Sequence, residues 1–161
     1  MGVKPTPTNT AFRMSSSIAV MANGCVETIG TKKEVFADPK TRPGATLTGC
    51  KNISSIQRID ANTVYAPEWG IQLTIPNLKE DITSIGIRMR RIRQAPGENT
   101  FHCRVVSEIE DPFYYTMMLR PVDADEGMPI GWLLEKDIWL AMRSEEVDIC
   151  LPIESILLLQ D

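Results

Sequence analysis

A chain of 161 residues, 43% hydrophobic and 24% charged, is long enough to bury one core and lies far from disordered or low-complexity compositions. Its net charge of -4, single histidine and four cysteines without a CxxC pair exclude a zinc-ribbon framework, and neither a metal nor a cofactor is expected. No apolar run approaches the ~18 residues of a membrane-spanning helix and no secretory h-region follows the start, so the expectation is an intracellular, cytoplasmic protein with reduced thiols.

In chain order, residues 1–11 hold two prolines and three threonines with little to bury, which predicts a flexible N-terminal arm ahead of a single β-rich domain over residues 12–161. The opening residues match the loose N-myristoylation pattern, making Gly2 a candidate acceptor. Residues 15–22 and 25–29 flank Asn23-Gly24, the strongest short hairpin signal. Residues 31–44 read as a basic connection carrying Lys32, Lys33, Lys40 and Arg42, and residues 45–47 as the opening of a further strand. Residues 52–59 fit either a short helix or an edge strand. Ile71, Leu73 and Ile75 alternate with polar residues as a half-buried strand.

Residues 82–107 combine apparent strand pairing with the densest positive charge. Ile85, Ile87 and Met89 alternate with Gly86, Arg88 and Arg90, and Phe101, Cys103 and Val105 follow the turn residues Ala95-Pro96-Gly97 as a return strand. The hairpin so predicted presents Arg88, Arg90, Arg91, Arg93 and Arg104 to an anionic surface, with Lys32, Lys33, Lys40 and Arg42 as auxiliaries. Phe101 and His102 offer a stacking platform for single-stranded bases. The opposing reading is a solvated face whose arginines pair with acids from the C-terminal region.

Residues 113–119 read as a buried strand, and residues 133–143 as the principal helix, with Leu134, Ile138 and Ala141/Met142 on one face. Residues 147–151 and 155–159 finish the chain as short strands. Ile156, Leu157, Leu158 and Leu159 are expected in the core or in a subunit contact. The fold class is therefore mainly β, a sandwich or partly closed barrel of seven to nine strands with one principal helix near the C-terminus. An α+β fold is the alternative.

Catalytic signatures are missing: there is no P-loop, dinucleotide fingerprint, nucleophile elbow or HExxH. His102 and Cys103 are neighbours on a strand and point to opposite faces, so they cannot form a nucleophilic pair. Charge is split along the chain, with 14 Lys/Arg against 8 Asp/Glu in residues 1–107 and 3 against 13 in residues 108–161. With its mobile arm, compact β body, basic patch and few catalytic residues, the chain resembles in general traits the small matrix or coat proteins of RNA viruses. That resemblance implies a non-enzymatic, self-assembling protein whose partners are copies of itself and RNA, a nucleocapsid or an acidic membrane surface, in a virion or peripheral to a membrane. A single-stranded nucleic-acid-binding module and a small enzyme with a dispersed active site are the alternatives.

Overall fold

The computed structural model describes residues 17–22, 25–124 and 126–161. The predicted arm, including Gly2, and the turn residues Asn23 and Gly24 lie outside them. Strands β1 (Ser17–Ala22) and β2 (Cys25–Thr31) pair antiparallel, with a register irregularity between Val20 and Met21.

Residues 31–47, expected as a basic connection leading into a strand, instead form two short helices, α1 (Lys32–Ala37) and α2 (Arg42–Leu47). The cause is capping. Thr31 Oγ1 accepts from Glu34 N–H at 3.3 Å, while the Glu34 carboxylate accepts from Thr31 N–H at 3.1 Å. Thr41 Oγ1 accepts from Gly44 N–H at 3.0 Å, and Pro43 sits in the first turn, where its missing donor costs nothing.

The remaining chain is mainly β. Strands β3 (Asn52–Ser55), β4 (Gln57–Arg58), β5 (Thr63–Ala66), β6 (Ile71–Thr74) and β7 (Ser84–Ile87) precede β8 (Arg93–Gln94) and the long β9 (Thr100–Glu110). They are followed by β10 (Tyr114–Pro121), β11 (Ile130–Glu135), α3 (Lys136–Met142), β12 (Glu146–Cys150) and β13 (Leu157–Leu159). Strands beyond the seven to nine expected are pieces of two to four residues, such as β4 and β8. Residues 52–59, ambiguous by sequence, contain no helix and form the short strands β3 and β4. The body is a curled half-barrel built from a five-stranded sheet in the order β11-β10-β9-β12-β8 and two three-stranded sheets, β13-β7-β3 and β4-β5-β6. Its shared core includes Leu73, Ile85, Ile87, Met117, Leu119, Trp132, Trp139 and Ile149.

Two features of the sequence reading are corrected. The strand at residues 84–87 does not pair with the one at residues 100–110. β7 lies between β3 and β13, and β9 between β10 and β12. All four β7 residues are buried, so this strand needs neighbours on both edges and cover on both faces, which a two-stranded ribbon cannot give. The predicted helix over residues 133–143 begins only at Lys136, because residues 130–135 are taken into β11. Its buried anchor is Trp139, whereas Ile138 is exposed.

Two asparagine side chains close the seams between sheets. Asn52 Nδ2 donates to the Gly131 carbonyl and its Oδ1 accepts from Gly131 N–H, both at 2.8 Å, so the amide replaces a neighbouring strand at the edge of β11. Leu133 N–H extends the seam to the Met89 carbonyl at 3.2 Å. A side chain at Gly131 would meet Met89 Sδ at 2.7 Å, so the methionine would have to shift to admit one. At the other seam Asn99, at φ 51°, accepts from Thr74 N–H at 2.7 Å and donates to the Thr74 and Leu151 carbonyls, each at 3.2 Å. No helix among the described residues is long and apolar enough to cross a membrane.

Candidate interaction surface

The arginine run is dispersed by the fold. Arg88 is half-buried, and its guanidinium donates to the Phe36 carbonyl at 2.6 Å, the Thr48 carbonyl at 2.9 Å and Thr48 Oγ1 at 3.0 Å. It thus clips together the C-terminal ends of α1 and α2, where carbonyl groups lack helical partners. Burial holds its pKa below the ordinary arginine range. Arg88 is therefore a structural cation, unavailable to an external anion.

Arg90 lies over the Tyr114 ring, with Cζ 4.5 Å from the centroid, a cation–π contact that fixes its direction. Arg91 and Arg93 are exposed, the first in a turn and the second on β8. Arg104 is exposed on β9 with Arg120 of β10 on one side in register and Glu146 of β12 on the other. Among the proposed auxiliaries, Lys32 opens α1 and Lys33 is exposed on it. Lys40 is exposed at φ 64° and its carbonyl accepts from Gln160 N–H. Arg42 turns inward to Ser55 Oγ at 3.2 Å and to Glu68 at 3.9 Å. Burial of Glu68 opposes ionisation, but three hydrogen bonds from Ser54 and Ser55 outweigh it and hold the carboxyl below its usual range.

Phe101 packs against the core and is only partly exposed, and alternation along β9 turns it to the face opposite the exposed His102. The neighbours behave as alternation requires: Cys103 is fully buried, while His102 is exposed. Burial, with Asp148 adding to it, pushes the Cys103 thiol up to about 12, the reverse of what a nucleophile needs. The thiols of Cys50 and Cys150 are raised as well, chiefly by burial. Ile156 and Leu159 are buried, and Leu157 and Leu158 are half-buried, on or beside β13. Among the described residues, no group of His, Cys, Asp and Glu is placed to hold a metal ion.

The acids of the C-terminal region occupy the face the arginines were expected to command. His102 Nδ1 lies 2.5 Å from Asp148 and Nε2 lies 2.9 Å from Glu146. Glu108 accepts from Arg143 at 2.5 Å and from Trp139 Nε1 at 2.9 Å, and Glu110 pairs with Lys136 at 2.6 Å. These two acids fasten α3 against the end of β9. The alternation of Glu146 and Asp148 in EVDIC is the local signal that both acids share one face with Arg104 and His102.

Beyond those pairs the surface turns apolar. Phe113 is 76% exposed at the β9–β10 turn, and its carbonyl accepts from Lys136 N–H at the start of α3. Ile138 and Leu140 are exposed on that helix, and Val106 and Ile109 on β9. Charge, meanwhile, divides along the chain, and the five-stranded sheet falls wholly on the acidic side. Residues 17–92, which form β1 to β7 with α1 and α2, carry 10 Lys/Arg and 7 Asp/Glu, whereas residues 93–161, which form the five-stranded sheet, α3 and β13, carry 5 and 14. The Lys/Arg ion pairs Arg42–Glu68, Lys136–Glu110 and Arg143–Glu108 each stay within one of these parts, so they leave the division in place. The chain matches no known protein-family model and no curated protein.

Proposed function

We propose that this chain is a non-enzymatic interaction protein that self-associates, with the acidic five-stranded sheet and α3 of one copy against the basic N-terminal part of another. The supporting observation is the division of charge along the fold: residues 17–92, which build β1 to β7, are net positive, and residues 93–161, which build the whole five-stranded sheet and α3 and lend β13 to the sheet of β7, are strongly negative. Complementary potentials steer encounter and select orientation. An arrangement in which different surfaces of the two copies meet is heterologous and can extend beyond a dimer. The exposed Phe113, Ile138 and Leu140 supply apolar area on the acidic side, which contributes affinity that exposed charges alone do not.

Sedimentation velocity over a salt series tests the reading. Oligomers present at low salt are expected to dissociate as salt rises, because exposed charges are screened beyond about 10 Å at 0.1 M. A monomer at every salt and protein concentration would remove self-association, and oligomers indifferent to salt would assign the contact to the apolar side chains instead of the charge division.

A further inference from the structure

We propose that His102 is a proton-operated latch between β9 and β12, closed when the imidazole carries both N–H groups and released when it loses one. The ring stands on the exposed face of β9, directly opposite Asp148 in the β12 register, and its two nitrogens reach different carboxylates, Asp148 at 2.5 Å and Glu146 at 2.9 Å. Ionised carboxylates only accept hydrogen bonds, so both contacts are satisfied by imidazolium alone. A neutral ring has one N–H and presents a lone pair to the other acid. When the proton leaves to solvent, one carboxylate therefore faces an acceptor at hydrogen-bonding distance and must move away.

The latch sits where the sheet is thin. β12 pairs with β9 over Glu146–Cys150 and is the strand on which β8, two residues long, is paired. The backbone of residue 95 also hangs on this strand, through Ala95 N–H to the Asp148 carbonyl at 3.1 Å. Release of the His102 bridges thus loosens the β12–β8 edge and the turn behind it.

Other charges face the same region. Arg104 lies two residues along β9 and Arg120 beside it on β10, Arg93 lies on β8, Glu145 precedes β12 and Asp123 follows β10. The arginines oppose protonation of the ring, but the groups in contact with it are the acids. The hydrogen bond to Asp148 first, then that to Glu146, raises the His102 pKa above its ordinary value, against a smaller opposing effect of burial. With the folded-state value raised, the latch contributes fully below the ordinary histidine range near ~6.5. Its contribution is lost as pH rises through the folded-state value.

His102 is the single histidine of the chain, so its ring signals in an NMR titration of the whole protein need no assignment. The expected midpoint lies above ~6.5 and falls toward it in Asp148→Asn. Amide exchange at Val147, Asp148 and Ile149, corrected for base catalysis, should accelerate severalfold across that midpoint. The step should be absent in His102→Gln, which keeps one donor and does not titrate. Should that variant not fold, the wild-type titration and exchange series decide alone. A midpoint at or below ~6.5, or β12 protection that stays level while the ring titrates, overturns the latch.

Discussion

Replacing Asn52 with leucine is expected to destabilise the protein by about 2–6 kcal/mol, because it leaves two buried backbone groups without partners, each costing about 1–3 kcal/mol. Asn52 is 4% exposed, and its amide provides both the donor and the acceptor that Gly131 uses at the edge of β11. Leucine fills a similar volume but offers neither group, so packing is kept while the seam is cut. Against a typical total of about 5–15 kcal/mol, the loss is large enough to shift a urea midpoint well outside error. Asn52→Asp separates the two bonds: the acceptor for Gly131 N–H survives, while the donor is replaced by a second oxygen set against the Gly131 carbonyl. A cost below about 1 kcal/mol for Asn52→Leu would mean that solvent reaches the seam and replaces both bonds.

Truncation after Pro152 should have a larger effect still, removing β13 and leaving the protein insoluble or unfolded. β7 is fully buried because β13 covers one of its edges and β3 the other. Without β13 the edge of Ser84–Ile87 is open, which is the unprotected apolar edge that promotes association between chains. The lost segment also carries Ile156 and Leu159, each stabilising by about 1.5–3 kcal/mol when buried. Gln160 goes with them, and with it the backbone bonds from Gln160 N–H to the Lys40 carbonyl at 2.9 Å and from Arg42 N–H to the Gln160 carbonyl at 2.8 Å. The milder Leu159→Ala should cost about 2–5 kcal/mol and keeps the question measurable if the truncated chain cannot be recovered. A truncated protein that is soluble, with unchanged melting temperature and mass, would contradict this role for β13.

The mainly β class was readable because many strands keep one wet face. β6 and β10 alternate buried with less buried residues along their length, and a period of two survives in the sequence. β7 misleads for the opposite reason. Gly86 and Arg88 look like the polar partners of Ile85 and Ile87, yet Gly86 lies against the Asn52 carbonyl and Cys50 Sγ, and Arg88 is drawn onto the ends of two helices. Those helices have six residues each, too few for an apolar period, so lysines and prolines dominated the reading of residues 31–44 although Thr31-x-x-Glu34 spelled a capping box. In residues 133–143 the regular spacing of Leu134, Ile138 and Met142 concealed Trp139, the residue the fold buries. The seam at Asn52 had no local signal at all, since its partner is 79 residues away. The candidate surface followed the same pattern. The arginines were visible as composition, but the acids beside Arg104 and His102 come from β12, which only the pairing with β9 brings alongside.

A charge-exchange experiment tests self-association most directly. One variant reverses three exposed bases of the positive part, Lys33→Glu, Lys51→Glu and Arg91→Glu; the other reverses six exposed acids of the negative part, Asp123→Lys, Glu126→Lys, Glu135→Lys, Asp137→Lys, Glu145→Lys and Glu154→Lys, enough to turn its net charge positive. Each variant alone then presents like-charged surfaces to its own copies and should sediment as a monomer under low-salt conditions where the native chain associates. Mixed in equal amounts, the two should associate again, since each now carries the charge the other lacks. A mixture that remains monomeric while the native protein oligomerises, or single variants that associate as well as the native chain, would contradict an assembly organised by the division of charge between the two parts of the chain.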